Sequence, residues 1–487
     1  MAQFKTALLA LVALFASYAL AVSPLVVQGS DFVNSVDGTR FQIIGVAYQP
    51  GGSSGFNPGS GIDPLSDAGV CLRDAVLMQR LGVNTIRVYN LDPDLDHSAC
   101  ASIFNAAGIY MILDVNSPLP NQSLNRGAPW ESYTSAYLER VFDVVEAFMH
   151  FNNTLGFFSG NEVINEDSVP EVPSYIRAVT RDLKDYISKQ SPRSIPVGYS
   201  AADVRPLLMG TFNYLSCGLD NDTSSKIDFF GLNSYSWCGN ATFQSSGYDV
   251  LVGDFGNTTI PIFFSEYGCN LVTPRLFTEV PVLYSEQMTP VFSGGLIYEY
   301  SEEPNNYGLV NLNDNGTVSI LPDYDNLRQQ YNALDVNALE RANATATSLS
   351  PPECAADLLG GSNFSTSFDL PTRPDGVDTL IQNGVSGKFP TGTSSVTNTK
   401  PSQTVYDANG QEITGLELTI LPNDESNLPG NNTSGSTPES TPSSSATPSA
   451  TTGGSQPTNT NAAAKADDLR FGSLVVGVLT AGLFLQL

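Results

Sequence analysis

Eight short, β-rich apolar runs recur between residues 41 and 301, and stretches with helical spacing lie between them. The predicted strands are Phe41–Gln49, Asn84–Asn90, Ile109–Val115, Thr154–Val163, Ile195–Ser200, Asp228–Tyr235, Ile260–Gly268 and Gly294–Ser301. The clearest predicted helices are Asp67–Leu81, Ser98–Ala107, Tyr133–Phe151, Pro173–Lys189, Leu276–Phe292 and Asp323–Leu334. Several begin with Asp, Ser or Pro, which satisfy or tolerate the free amides of a first turn. Eight strand-then-helix units in roughly 300 residues predict an α/β fold, a (β/α)8 or TIM barrel. A doubly wound open sheet is the alternative. The chain has no Gly-rich phosphate loop, and its strands end in polar residues, as they do where a barrel carries its active site.

A barrel accounts for residues 22–355 and leaves two ends. Lys5 precedes an apolar run from Ala7 to Ala19, and Ala19-Leu20-Ala21 offers the small-x-small pattern of a signal-peptidase site. Residues 1–21 therefore read as a signal peptide, with a retained anchor helix as the alternative. Towards the other end come small residues at Asn461-Ala462-Ala463, a polar spacer and an apolar run, Phe471–Leu487. That order is the attachment signal for a glycosylphosphatidylinositol anchor. Asn461 is the preferred attachment residue, Gly453–Ser455 the fallback, and 462–487 the segment removed. A plain tail-anchored helix is the alternative. Residues 356–430 read as a small appendage or partly ordered linker, with a strand-like piece at Glu417–Leu421 and a turn at Asp407–Gly410. Residues 431–461, rich in Ser, Thr and Pro, read as a disordered, O-glycosylated stalk.

Composition narrows the function classes. The formal net charge of −27 repels nucleic acid and anionic lipid. With only His97 and His150, and no Cys-x-x-Cys pair, zinc has almost no ligands, and neither metal nor cofactor is expected. Ten Asn-x-Ser/Thr sequons begin between Asn121 and Asn432, which fits a secreted glycoprotein. Six cysteines fit disulfides in an oxidising compartment.

The strand ends carry the chemistry. They bear Tyr48-Gln49, Arg87-Val88-Tyr89, Asp114 with Asn116, Asn161-Glu162, Asn233 with Tyr235, Glu266-Tyr267 and Tyr298-Glu299-Tyr300. Aromatic faces stack on sugar rings, and amides and carboxylates bond to hydroxyls. Glu162 and Glu266 end the fourth and seventh strands, so their tips face each other across a barrel mouth. Two such carboxylates can flank a glycosidic bond, one protonating the leaving oxygen while the other attacks the anomeric carbon. Asp114 and Glu299 are the competing carboxylates. Asp114 fits a binding or supporting group, and Glu299 cannot share a direction with both flanking tyrosines in regular strand alternation.

Six segments, in order, carry a resemblance. Tyr48-Gln49-Pro50-Gly51-Gly52, Asn84-Thr85-Ile86-Arg87-Val88-Tyr89, Phe158-Ser159-Gly160-Asn161-Glu162-Val163-Ile164-Asn165, Val197-Gly198-Tyr199-Ser200-Ala201-Ala202-Asp203, Phe264-Ser265-Glu266-Tyr267-Gly268-Cys269-Asn270 and Ser293-Gly294-Gly295-Leu296-Ile297-Tyr298-Glu299-Tyr300 resemble the fungal β-1,3-glucanosyltransferases of glycoside hydrolase family 72. The resemblance runs from about residue 25 to 355 and implies a (β/α)8 barrel and a mechanism that retains anomeric configuration. It implies that Glu162 is the acid/base and Glu266 the nucleophile. It implies that Gln49, Tyr89, Asp114, Asn161, Tyr235 and Tyr298 contact substrate. Some family members add a cysteine-rich glucan-binding module; here no cysteine follows Cys354, so that module is not expected.

Six cysteines allow fifteen pairings. Position favours Cys71 with Cys100 on neighbouring helices, Cys238 with Cys269 on adjacent loops, and Cys217 with Cys354, and the resemblance implies the same three pairs. The expected protein is a monomer that cleaves an internal β-1,3 bond in one glucan and joins the new reducing end to the non-reducing end of another. It is expected at the outer face of the plasma membrane, in the cell wall, or both. An endo-β-1,3-glucanase on the same site and a noncatalytic glucan-binding wall protein are the alternatives.

Overall fold

The computed structural model describes residues 22–437, apart from 168, 221, 223 and 344–348. The predicted signal peptide, Asn461, the segment expected to be removed and most of the stalk lie outside the described residues. No described helix is long and apolar enough to cross a membrane.

The chain opens with a small antiparallel sheet of β1 (Leu25–Gln28), β2 (Asp31–Asn34) and β3 (Arg40–Phe41). Eight parallel strands follow: β4 (Ile43–Ala47), β5 (Thr85–Val88), β6 (Tyr110–Asp114), β7 (Thr154–Asn161), β8 (Val197–Ala202), β9 (Phe229–Asn233), β10 (Ile262–Tyr267) and β11 (Phe292–Ile297). Each pairs with the next, and β11 pairs with β4, closing the barrel. Every predicted run overlaps one of these strands, and the open-sheet alternative falls away. The small sheet plugs the floor. Phe32 is fully buried against Phe229 and Phe263, at 5.8 and 6.0 Å between ring centroids. Burying such a ring stabilises the fold by about 1.5–3 kcal/mol.

Helices α1 (Ala68–Leu81), α2 (Ser98–Ala106), α3 (Pro129–Ser132), α4 (Ser135–Phe148), α5 (Val172–Gln190), α6 (Arg205–Ser216), α7 (Tyr248–Asp254), α8 (Val280–Leu283) and α9 (Pro322–Asn332) follow the strands. The side chain of Asp67 caps α1 by accepting from the Gly69 and Val70 amides, and Pro opens α9. One predicted helix is shortened. Across Leu276–Phe292 only Val280–Leu283 is helical: Pro281 sits in its first turn, where proline is tolerated but bars a longer N-terminal start, and Pro290 bars a continuous helix to Phe292. Helices α6 and α7 are additional to the clearest predicted helices.

Three disulfides staple this frame: Cys71–Cys100 joins α1 to α2, Cys238–Cys269 links the loops after β9 and β10, and Cys217–Cys354 ties the chain beyond the barrel to the end of α6. Beyond β12 (Val310–Leu312) and β13 (Val318–Ile320), residues 356–437 run over the outside of the barrel. There β14 (Val405–Tyr406) adds to β13. The turn at Asp407–Gly410 forms, with the Gly410 amide donating to Asp407 O at 2.9 Å. Glu417–Leu421 is not a strand. Its alternating pattern serves docking instead: the fully buried Gln79 amide accepts from Thr419 N at 3.0 Å and donates to Thr419 O at 2.7 Å. Two glycines let the strap pass. Gly82 and Gly108 have φ of 86° and 75°, and a Cβ there would meet Pro429 at 2.6 Å and Leu421 at 2.5 Å.

Candidate active site

The C-terminal ends of the strands bring the predicted carboxylates to one mouth. Glu162 follows the last residue of β7, with φ of 48°, and its amide donates to Ser200 O at 2.8 Å. Its Oε1 accepts from Asn233 Nδ2 at 2.8 Å, and the same amide nitrogen donates to Asn161 Oδ1 at 3.1 Å. Asn161 is thereby held beside Glu162. Arg126, from the loop after β6, donates to Glu162 O at 3.2 Å and to the side chain of Asn165.

Glu266, near the end of β10, is only 8% exposed. Its Oε1 accepts from Tyr89 Oη at 3.0 Å and Arg87 Nη1 at 3.3 Å, and its Oε2 from Tyr235 Oη at 2.7 Å. Arg87 is fully buried and forms a two-pronged pair with Asp114, Nε to Oδ2 at 2.9 Å and Nη2 to Oδ1 at 3.1 Å. Arg87 Nη1 also donates to Asn233 Oδ1 at 3.4 Å. A continuous polar path thus runs from Glu162 through Asn233 and Arg87 to Glu266. Behind it, Ser200 and Ser265 donate to Asn233 Oδ1 at 3.1 and 2.8 Å and so fix that amide's orientation.

Burial pushes the Glu266 carboxyl up to about 7; Arg87 opposes this, the Glu162 charge adds to it, and the Tyr235 and Tyr89 hydroxyls lower it. Burial and the charge of Glu266 hold both tyrosine hydroxyls far above their ordinary range, so they stay protonated and donate. Replacing Tyr235 with phenylalanine removes a donor that favours the Glu266 carboxylate. The acid group's apparent pKa then rises, and any step needing ionised Glu266 loses rate at a higher pH as acid is added. The expected displacement is roughly one pH unit upward, read from the acidic limb of a pH–rate profile.

The remaining predicted contacts fall in two groups. Tyr89, Tyr235 and Tyr298 cluster at the mouth, with Tyr298 6.4 Å from Tyr89 and 6.2 Å from Tyr235 between ring centroids. Gln49 and Asp114 lie deeper. Gln49 Oε1 accepts from the Tyr89 and Asn90 amides at 3.2 and 3.0 Å, splinting the ends of β4 and β5. Both Asp114 oxygens are engaged by Arg87. Glu299 is buried, accepts from Asn305 Nδ2 at 2.9 Å, and is also pushed up to about 7 by burial, with Asn305 opposing the shift. Tyr300 turns away, donating to Asp74 at 2.7 Å outside the barrel.

Arg87, Asn233 and Tyr307 are absent from the predicted set. The first two sit two residues before Tyr89 and Tyr235, hence on the same strand face, and that period-2 signal was available. Tyr307, whose ring lies 5.3 Å from Tyr298 and 5.6 Å from Tyr235, comes from a loop with no such signal. Among the described residues no cluster of three His, Cys, Asp or Glu side chains could hold a metal.

Comparison with known proteins identifies relatives of the chain. Residues 14–335 match the family model described as glucanosyltransferase, glycoside hydrolase family 72. The chain is 60% identical over 422 residues to 1,3-beta-glucanosyltransferase gel2 of Aspergillus fumigatus, covering 87% of this chain and 88% of that one. It is 48% identical over 337 residues to 1,3-beta-glucanosyltransferase GAS4 of Saccharomyces cerevisiae, covering 69% and 71%. Among solved structures it is similar to Saccharomyces cerevisiae Gas2p in complex with laminaritetraose and laminaripentaose, with TM-score 0.64, 39% identity and coverage of 73% and 75%. With a family match over most of its length and a relative of this identity, the chain belongs to the glucanosyltransferase family, glycoside hydrolase family 72.

Proposed function

We propose that the protein is a 1,3-beta-glucanosyltransferase that works by double displacement, with Glu266 as nucleophile and Glu162 as acid/base. The observation that carries this reading is the convergence of the two glutamates, linked through Asn233 and Arg87, on a mouth ringed by tyrosines. Glu266 attacks the anomeric carbon of an internal glucose, and Glu162 protonates the departing oxygen, releasing the reducing-end fragment. Arg87, Tyr89 and Tyr235 support the Glu266 carboxylate before attack. Forming the ester removes that charge, and with it the penalty of a second charge on Glu162. Glu162 then takes the proton from the 3-hydroxyl of an acceptor, which displaces Glu266 and completes a longer β-1,3 chain. The test is incubation with a reduced laminarioligosaccharide followed by mass analysis. Products longer than the donor support transfer; only shorter products would leave a hydrolase.

Gln49, Tyr89, Asp114, Asn161, Tyr235 and Tyr298 form the proposed substrate-contacting set, Asp114 acting from beneath through Arg87. Acceptor sugars compete with water present at roughly 55 M, so stacking and alignment must raise their effective concentration. Removing the ring in Tyr298→Ala is expected to raise the ratio of hydrolysis to transfer, measured on the same digest. An unchanged ratio with an unchanged melting curve would reject Tyr298 as an acceptor platform.

The same reading places the mature protein outside the cell, with donor and acceptor β-1,3-glucan chains as partners and a lipid anchor at Asn461 holding it, as a monomer, at the membrane or wall. A phosphatidylinositol-specific phospholipase is expected to release it from intact cells when the inositol is not acylated. Recovery of the 471–487 peptide from mature protein would contradict the anchor.

A further inference from the structure

Asn431-Asn432-Thr433-Ser434 contains two overlapping acceptor sequons, one beginning at each asparagine. The fold treats the two amides differently. Asn432 is 4% exposed. Its Nδ2 donates to Gln79 Oε1 at 2.7 Å and to Glu417 O at 2.9 Å, and its Oδ1 accepts from Ser434 N at 2.9 Å. Both N–H groups are therefore engaged, one of them on a fully buried glutamine that also bonds Thr419. Asn431 is exposed, and its side chain makes no hydrogen bond among the described residues. It stands at the edge of a cavity of about 340 Å³ by the N-terminal ends of the barrel strands. That cavity is also lined by Gln42, which is 4% exposed and whose side-chain amide has no hydrogen-bond partner among the described residues.

We propose that Asn431 carries an N-linked glycan and that Asn432 stays bare, serving as a latch that fastens the end of the strap to α1. In the transfer, Asn431 Nδ2 bonds to C1 of the N-acetylglucosamine of a lipid-pyrophosphate-linked oligosaccharide. The C1–O bond breaks, the lipid pyrophosphate leaves with its electron pair, and one amide proton is lost. A sugar on Asn432 Nδ2 would remove one of the two N–H groups and fill the space between Gln79 and Glu417, so a chain modified there cannot close the strap. A sugar on Asn431 projects into open space beside the cavity and displaces nothing. The inference rests on the secretory reading above.

The experiment uses full-length protein secreted from an N-glycosylating host. Peptide N-glycosidase in heavy-oxygen water converts each glycosylated asparagine to a labelled aspartate, which fragment masses then locate. The expected label is on residue 431 and not on 432. Ser434→Ala, which deletes only the Asn432 sequon, is expected to change nothing. Thr433→Ala, which deletes only the Asn431 sequon, is expected to empty this peptide while labels elsewhere, such as at the exposed Asn315, persist. A label on 432 in either the natural chain or folded Thr433→Ala protein would overturn the proposal. So would an unlabelled 431 in a chain labelled at other sequons. A chain labelled nowhere would overturn the secretory reading along with it.

Discussion

Glu266→Gln is expected to lower glucan transfer by about a thousandfold or more while leaving the barrel folded. The amide cannot attack the anomeric carbon, yet it fills the same space; its one oxygen can accept from one of Tyr89 and Tyr235, and its NH2 can donate to the hydroxyl oxygen of the other. Glu162→Gln is expected to lower transfer by roughly a hundredfold to ten-thousandfold, the range for a lost general acid–base. The two losses differ in kind. A donor with an acidic leaving group needs little protonation, so it should restore the first step in Glu162→Gln but not in Glu266→Gln. Rates for both variants with natural and activated donors, beside melting curves, check this. Activity within tenfold of the natural protein in either variant would remove that glutamate from its role.

Arg87→Met is expected to destabilise the protein by about 3–5 kcal/mol, the usual result of deleting one partner of a buried ion pair. Arg87 and Asp114 are 0% and 4% exposed, and their two-pronged bond leaves Asp114 no other described partner. Without the guanidinium, Asp114 is a buried charge facing a second one at Glu266. Burial already pushes both carboxyls up, and Arg87 is the main influence holding them down. Adding Asp114→Leu should recover much of the loss, because two apolar groups leave less uncompensated charge than one orphaned carboxylate. Urea midpoints with the disulfides intact, for both single variants and the double, measure the coupling. Strict additivity would mean that the pair does not act as a unit.

The barrel was legible because its strands are short apolar runs with polar ends, such as Ile262–Tyr267 finishing on Glu266 and Tyr267. Local pattern failed where packing overrides it. Leu276–Phe292 reads as helical by spacing, but two prolines confine the helix to Val280–Leu283. Glu417–Leu421 reads as a strand by alternation, yet its backbone pairs with Gln79 and not with a sheet. In the site, Glu162 and Glu266 were readable from their place at strand ends. The links between them were not. Asn233 reaches Glu162 across 71 positions and Arg87 reaches Glu266 across 179, contacts that only barrel closure creates.

The central claim, a glycosyl-enzyme on Glu266, is tested most directly by trapping it. A laminarioligosaccharide donor with fluorine at C2 and a good leaving group at C1 forms the ester but slows its breakdown, because the fluorine destabilises the oxocarbenium-like transition state. Peptide mass analysis of the trapped protein should then find the sugar on Glu266, and Glu266→Gln protein should remain unlabelled. A sugar on any other residue, or no sugar while the reporter leaving group is released, would contradict the mechanism proposed here.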